Sequence, residues 1–364
     1  MPDEIAIAHK WRIGWNNECG SEKAVDKLLL QAAGKSREGA RKKTQLYYLA
    51  VASGMSPTAY AHQHSLLPFL CFATDGGRLY GDSSSEDVSR LFGMATAHNA
   101  AHCCVQCIAE DTSRWQFSWF RRSHQLTGIE WCPVHGCCLS KIDDPNPFTR
   151  SPHYWLTKSK LQQVRPYVKE LPTSGFVRRY TDIVTAFLQQ AQAFRVDDIN
   201  LQMANRVSER GASVRTVEGH KHRPISGYIE KLAPSKWLSK NFSDFSPKAR
   251  FTPRQVDSIA TRMNTGRRAH SYALVLSALY DSSEAALTAT YNPGLVRRES
   301  RSGVSSTGKV SQGKNSSRLE KAFQRFRNGE SICAASSAEK IAASELETHL
   351  RNFTLDVSKY VADA

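Results

Sequence analysis

The chain has 364 residues, 40% of them apolar, which is enough for two or three compact units with buried cores. No apolar run reaches the roughly 18 residues that a membrane span needs, and the opening MPDEIAIAHKWRIG does not form a cleavable signal, so a soluble protein is expected. Nine cysteines, an odd number with several adjacent, argue against a disulfide framework and fit metal ligation in a reducing cytosol. The 49 basic and 34 acidic residues leave a net charge of +15, which points to a polyanionic partner. Nucleic acid ranks above an anionic membrane, because the sequence shows no lipidation motif and no basic amphipathic helix with an aromatic face.

Residues 1–100 read as an N-terminal helical domain. Ser21 is placed to cap a helix through Ala33 with Val25, Leu28 and Leu29 on one face, and Gly34 stops it. A basic run, Lys35 to Lys43, leads into the apolar stretch Thr44 to Val51. Ser56-Pro57 is a cap followed by proline at the first helical position, opening a short helix through His62. Ser84-Ser85-Glu86-Asp87 starts another, with Val88, Leu91, Phe92 and Met94 expected to face inward. A plain helical bundle is favoured here over a helix-turn-helix module.

Residues 101–157 read as a small zinc-ribbon or zinc-knuckle β module. Cys104-x2-Cys107 is followed by 24 residues and then Cys132-x2-His135. Each short pair can bind one face of a tetrahedral ion, and the segment between them is long enough for a hairpin-like knuckle. Three thiolates and an imidazole are donors suited to Zn²⁺, and four protein ligands make the closed, structural kind of site. Cys103 could substitute for Cys104. Cys137 and Cys138 find no later pair, so no second zinc is expected. Cys19, Cys71 and Cys333 read as ordinary thiols. Trp115, Phe117, Trp119, Ile129 and Trp131 mostly alternate, as strands of a small sheet would, and supply a core for the metal to pin. Arg121 and Arg122 beside them could meet a phosphate backbone or a partner, or else pair with Glu110 and Asp111. His124 lacks a second partner and is not expected to ligate metal.

This stretch resembles the TniQ/TnsD family, target-selection proteins of bacterial heteromeric transposons. The resemblance is carried by Trp119-Phe120-Arg121-Arg122-Ser123-His124-Gln125-Leu126, by Gly128-Ile129 and by Cys132-Pro133-Val134-His135-Gly136. The family pattern has a Cys-Pro-x-Cys pair, an acidic dipeptide, matched here by Glu110-Asp111, and a closing Cys-Pro-x-His-Gly. Val105 stands where the first proline is usual, which removes no ligand. Looser likenesses are Pro2-Asp3-Glu4, His64 to Phe69, and His270 to Leu274, the last similar to a helix of the TnsD-like branch. The resemblance implies a transposon AAA+ ATPase regulator as partner, residence in the bacterial cytoplasm at the nucleoid, and one of two modes of action. Either the protein binds double-stranded target DNA itself, or it is an adaptor for an RNA-guided complex.

Residues 158–295 read as a C-terminal helical domain. Ser174 caps a long helix whose stripe is Phe176, Tyr180, Ile183, Val184, Phe187 and Ala191. Residues 208–224 are a polar, basic connection in which His220 and His222 lack cysteine partners. Thr252-Pro253 starts a helix with Val256, Ile259, Ala260 and Met263 on one face and Gly266 as its stop. Arg267-Arg268 then leads into an apolar helix from His270 to Tyr280, and a further short helix starts at Ser283. Helix, glycine-containing turn, helix is compatible with a DNA-binding helix-turn-helix, which would bring Arg254, Arg262, Arg267 and Arg268 to phosphates. Residues 296–317, which include Arg297 and Arg298 as further candidate DNA contacts, are expected to be a flexible basic linker. Residues 318–364 carry terminal helices with Leu346, Leu350, Phe353, Val357 and Val361 on one stripe, which docks back or makes an intermolecular contact, as in a homo-oligomer.

The expected architecture is therefore mainly α, with helical domains flanking the small zinc module. No phosphate-cradling GxxxxGK[ST], acidic triplet or nucleophile–base pair announces catalysis, so a binding protein is expected and not an enzyme.

Overall fold

Side-chain caps start several of the helices, and a computed structural model shows how they assemble. It describes residues 1, 3–34, 43–98, 100–162, 166–210, 224–246, 254–259, 268–291, 318, 321–325, 332–342 and 346. Two compact units are present, Met1–Arg297 and Arg298–Ala364. The segments 1–100, 101–157 and 158–295 all fall within the first.

In the first unit α1 (Ala6–Asn16) is followed by α2 (Glu22–Ala32), whose cap Ser21 accepts from the Ala24 N–H at 3.3 Å. Thr44 caps α3 (Gln45–Ala52) in the same way, and Ser56 caps α4 (Pro57–His64), where Pro57 occupies a first-turn position that needs no N–H donor. The four-residue α5 (Leu67–Leu70) is fully buried. A turn capped by Asp82 leads into α6 (Glu86–Phe92). Ser89 is buried, and Val88 and Phe92 pack against the core as expected, as does Met94 just past the helix, whereas Leu91, also expected inside, is 71% exposed.

Next come α7 (Val105–Trp115), α8 (Pro152–Thr157) and the 14-residue α9 (Gly175–Leu188), capped by Ser174. The predicted stripe of α9 is buried from Phe176 to Phe187, while Ala191 lies beyond the helix and is exposed. After α10 (Val196–Glu209) follow α11 (Ile225–Leu232), α12 (Ser235–Asn241), the short α13 (Gln255–Ser258), α14 (Ala269–Leu279) and α15 (Ser283–Tyr291). The centre of the unit is α9 packed on α14. Nine of the eleven residues of α14 are buried, so it is a core helix with no face to offer a DNA groove. Of the expected helix before it, Val256 and Ile259 are buried, while Thr252, Pro253, Ala260, Met263 and Gly266 lie outside the described residues, as do His220 and His222.

Strand structure is slight. β1 (Ala73–Thr74) pairs in parallel with β5 (Phe194–Arg195). β2 (His102–Cys103), β3 (Ser140–Ile142) and β4 (Leu161–Gln162) form an antiparallel sheet, with His102 opposite Lys141 and Lys141 opposite Gln162. The small sheet expected near the cysteines is thus built from strands that flank the Cys104–Leu139 stretch, the last of them beyond residue 157. The aromatic alternation from Trp115 to Trp131 does not make strands. Trp115 ends a helix and is 51% exposed, and an isolated bridge joins Trp131 to Cys138. Aromatics flanking helix ends and tight turns mimic a period of two without a ladder behind it.

Among the described residues, no helix is long and apolar enough to cross a membrane. In the second unit a short helix spans Ile332–Ala338, and Ala322, Phe323 and Leu346 form a separate small core. Leu350, Phe353, Val357 and Val361 lie outside the described residues, as does the linker 296–317.

Candidate metal centre

Helix α7 sets up half of the cysteine cluster. Cys104 is its N-cap, and the sulfur accepts from the Cys107 N–H at 3.4 Å. A sulfur in that position faces the positive end of the helix, which favours the thiolate. Val105 is the first helical residue, so the proline usual there would fit N1, and its replacement leaves the cap intact. One turn on, Cys107 and Glu110 share a face.

The other half is a tight turn. The Gly136 N–H donates to Cys132 O at 2.8 Å and the Cys132 N–H to Cys137 O at 2.7 Å, with Gly136 at φ +63°, the left-handed region that glycine enters without strain. The turn brings His135 over Cys132.

The ligand atoms of Cys104, Cys107, Cys132 and His135 all lie within 4.8 Å of one another. His135 Nδ1 is 3.4 Å from Cys104 Sγ, 3.3 Å from Cys107 Sγ and 3.6 Å from Cys132 Sγ, and the Cys107 and Cys132 sulfurs are 3.7 Å apart. A tetrahedral ion with sulfur at about 2.3 Å and nitrogen at about 2.0 Å requires S–S edges of about 3.8 Å and S–N edges of about 3.5 Å. The donors fit that cage. The three cysteines are buried, so the arrangement is closed, with no open coordination position for a reacting water. Thiol hydrogen bonds from Cys107 and Cys132 lower the Cys104 pKa, while Cys104 in turn raises those of Cys107 and Cys132. A bound cation would favour all three as thiolates.

Glu110 completes the site. Its carboxylate accepts from His135 Nε2 at 2.8 Å, and this bond raises the imidazole pKa. With the proton held on Nε2, Nδ1 presents its lone pair to the sulfurs. Reading by pair spacing missed this role, although the acidic dipeptide was the available signal. Cys103 is excluded from the cage, because it sits on β2 with its thiol directed to Ser140 O, and burial pushes that thiol up to about 12. Cys137 Sγ lies 3.3 Å from Cys104 Sγ.

The aromatic, arginine-rich segment after α7 turns inward. Arg121 makes a two-pronged ion pair with Asp111, at 2.9 and 2.8 Å, and lies over the Trp119 ring. Arg122 is 2% exposed; it donates to Asp3 at 2.9 Å and to the carbonyls of Ser65 and His62. His124 is buried, and burial drops its pKa to about 4. Gln125 clamps both backbone polar groups of His102. Both arginines are engaged by groups within the protein, and the internal pairing recognised as an alternative holds for Arg121 with Asp111. Arg254 pairs with Glu230 at 2.8 Å over the Phe245 ring. Arg268 is exposed beside α14, and Arg262, Arg267, Arg297 and Arg298 lie outside the described residues.

Residues 2–139 match the family model TniQ, a span that contains all four cage residues, Glu110, and both Asp3 and Arg122. This segment is therefore similar to the TniQ family, a likeness that implies a transposon-associated role, in target selection or as an adaptor. No curated protein matches the chain.

Proposed function

We propose that this protein is a zinc-containing target-selection protein of a bacterial transposon, which binds double-stranded DNA and recruits the transposon's AAA+ ATPase regulator. The observation that carries the reading is the closed Cys3His cage inside the matched segment. Its spacing suits Zn²⁺, whose role there is to fold the module and not to activate water. In this account Cys104, Cys107, Cys132 and His135 hold the ion, and Glu110 orients the imidazole. The protein acts by binding and carries out no chemistry of its own. The net charge of +15 supports contact with DNA phosphates, since each neutralised phosphate adds salt-dependent affinity.

One observation favours the second reading, an adaptor for an RNA-guided complex without sequence-specific DNA binding of its own. Arg121, Arg122 and Arg254 are engaged by Asp111, Asp3 and Glu230, which leaves fewer arginines for direct contact. Footprinting and salt-titrated binding of the purified protein on DNA flanking its own element separate the two. Protection of a defined site, with target DNA bound at least about 1000-fold more tightly than random DNA, is the outcome expected for direct target selection. A ratio near one supports the adaptor.

A further inference from the structure

On the flank of the small sheet, β2, β3 and β4 share a cavity of ≈ 270 Å³ with α12 and the Thr127–Glu130 turn. Lys141 enters its wall from the middle strand and Lys240 from the last turn of α12, 99 positions later in the chain. Neither lysine has a carboxylate within ion-pair distance among the described residues. The wall's one carboxylate, Glu130, is already bridged: it accepts from the Tyr167 hydroxyl at 2.8 Å and from Asn241 Nδ2 at 3.2 Å. Gln162, opposite Lys141 across the strands, is likewise held, with its amide on Asp143 at 3.0 Å. His98 and His102 also line the cavity and meet edge to face, with ring centroids 4.5 Å apart, and burial followed by the Lys141 charge lowers the His98 pKa. The lysines therefore keep two like charges facing one recess, an arrangement that is favourable once an anion enters.

We propose that this cavity receives a backbone phosphate of bound DNA, clamped between Lys141 and Lys240. The inference rests on the reading of the protein as a DNA binder and deepens it by naming the contact. Point charges on flexible stems suit a phosphate, which needs no base-specific geometry, and an open recess of this size takes a phosphate and its adjoining sugar, not a base pair. Such a contact positions the duplex and adds affinity without reading sequence. The two lysines come from elements that only the folded first unit brings together, which is why no run in the sequence announces the site.

The test is duplex binding by the full chain across a salt series, comparing wild type with Lys141→Gln/Lys240→Gln and with Lys23→Gln/Lys27→Gln, a control on the exposed face of α2. The expected result is that the cavity variant binds about tenfold more weakly at 0.1 M salt and loses about two from the slope of log K against log salt, with unchanged metal content and circular dichroism. The control variant keeps the wild-type slope. If Lys141→Gln disturbs the sheet, Lys240→Gln alone, at an exposed position, should lose about one from the slope. Wild-type affinity and slope in the cavity variants, or an equal loss in the control, overturns the cavity while leaving DNA binding in place. A wild-type protein that binds no duplex overturns both.

Discussion

Arg122 Nε donates to Asp3 Oδ1 at 2.9 Å, joining two residues 119 positions apart. Around that bond the Ile5 N–H donates to Phe120 O at 2.9 Å, the Arg122 N–H to Asp3 O at 2.7 Å, and Ser123 Oγ to Asp3 Oδ2 at 2.8 Å. His64 Nδ1 donates to Glu4 O at 2.8 Å. Three scattered segments, Asp3-Glu4, His64 with Ser65, and the arginine-rich stretch from Phe120 to Ser123, thus form one interlock that holds the cysteine module to the N-terminal helices.

Removing Asp3 leaves a guanidinium buried without its anion, and burial already lowers the Arg122 pKa. Asp3→Ala should therefore cost about 3 kcal/mol of unfolding free energy in urea titration. Arg122→Met, which removes the buried charge itself and refills the volume, should cost less than Asp3→Ala. Equal or reversed losses would assign the interlock to backbone bonding alone.

Gly128 sits at φ +83°, and a Cβ there would come within 2.8 Å of Phe242 Cζ and 2.9 Å of Tyr180 Cε1. Its carbonyl accepts from Trp237 Nε1 at 2.9 Å, and the neighbouring Thr127 carbonyl from the Tyr180 hydroxyl at 2.6 Å. The turn is thereby fixed to α9 and α12. Gly128→Ala should cost about 3 kcal/mol, since left-handed strain and overpacking add. A melting temperature within a degree of wild type would show that the turn relaxes.

Glu110 is 65% exposed and contributes little as an ion pair, but it fixes the imidazole tautomer. Glu110→Gln should weaken zinc affinity about tenfold in competition with a chromophoric chelator while leaving the helix content unchanged. Unaltered affinity would make the 2.8 Å bond incidental.

Acid should destabilise the first unit before carboxylates titrate. Burial depresses His9 to about 3, although Glu4 works against it, and depresses His270 to about 4, with Arg268 adding to the effect. The unfolded chain protonates these groups near pH 6.5 while the folded one keeps them neutral, so it binds more protons between about pH 6.5 and about pH 4. Stability is full above that window and falls through it as pH drops, by about 1.4 kcal/mol per pH unit for each histidine. His270→Phe, whose ring can keep the packing on Phe69 and Phe242, should flatten the loss between pH 6.5 and 5 by about one proton. An unchanged slope would mean His270 does not titrate this way.

The sequence made the cage residues legible because two short pairs carry their geometry locally. Helix starts with Ser and Thr caps were legible for the same reason, as at Ser21, Ser56 and Ser174. What was not legible depends on distant partners. Arg121 and Arg122 look like phosphate contacts until Asp111 and Asp3 arrive beside them, and the apolar helix from His270 could not be told from a surface helix until α9 packed on it. The strands were misplaced because two- and three-residue ladders leave no periodic signal, while Cys104 to Trp115 obeys helix-capping rules that the cysteine spacing obscured.

One ion on Cys104, Cys107, Cys132 and His135 is expected to fold this module. Cobalt substitution with X-ray absorption on the folded, full-length protein tests it most directly. The prediction is one metal per chain with three sulfur and one nitrogen neighbours, and loss of both the metal and the module's tertiary signal in Cys132→Ser. Folded protein that carries no metal, or a metal coordinated chiefly by oxygen, would contradict it.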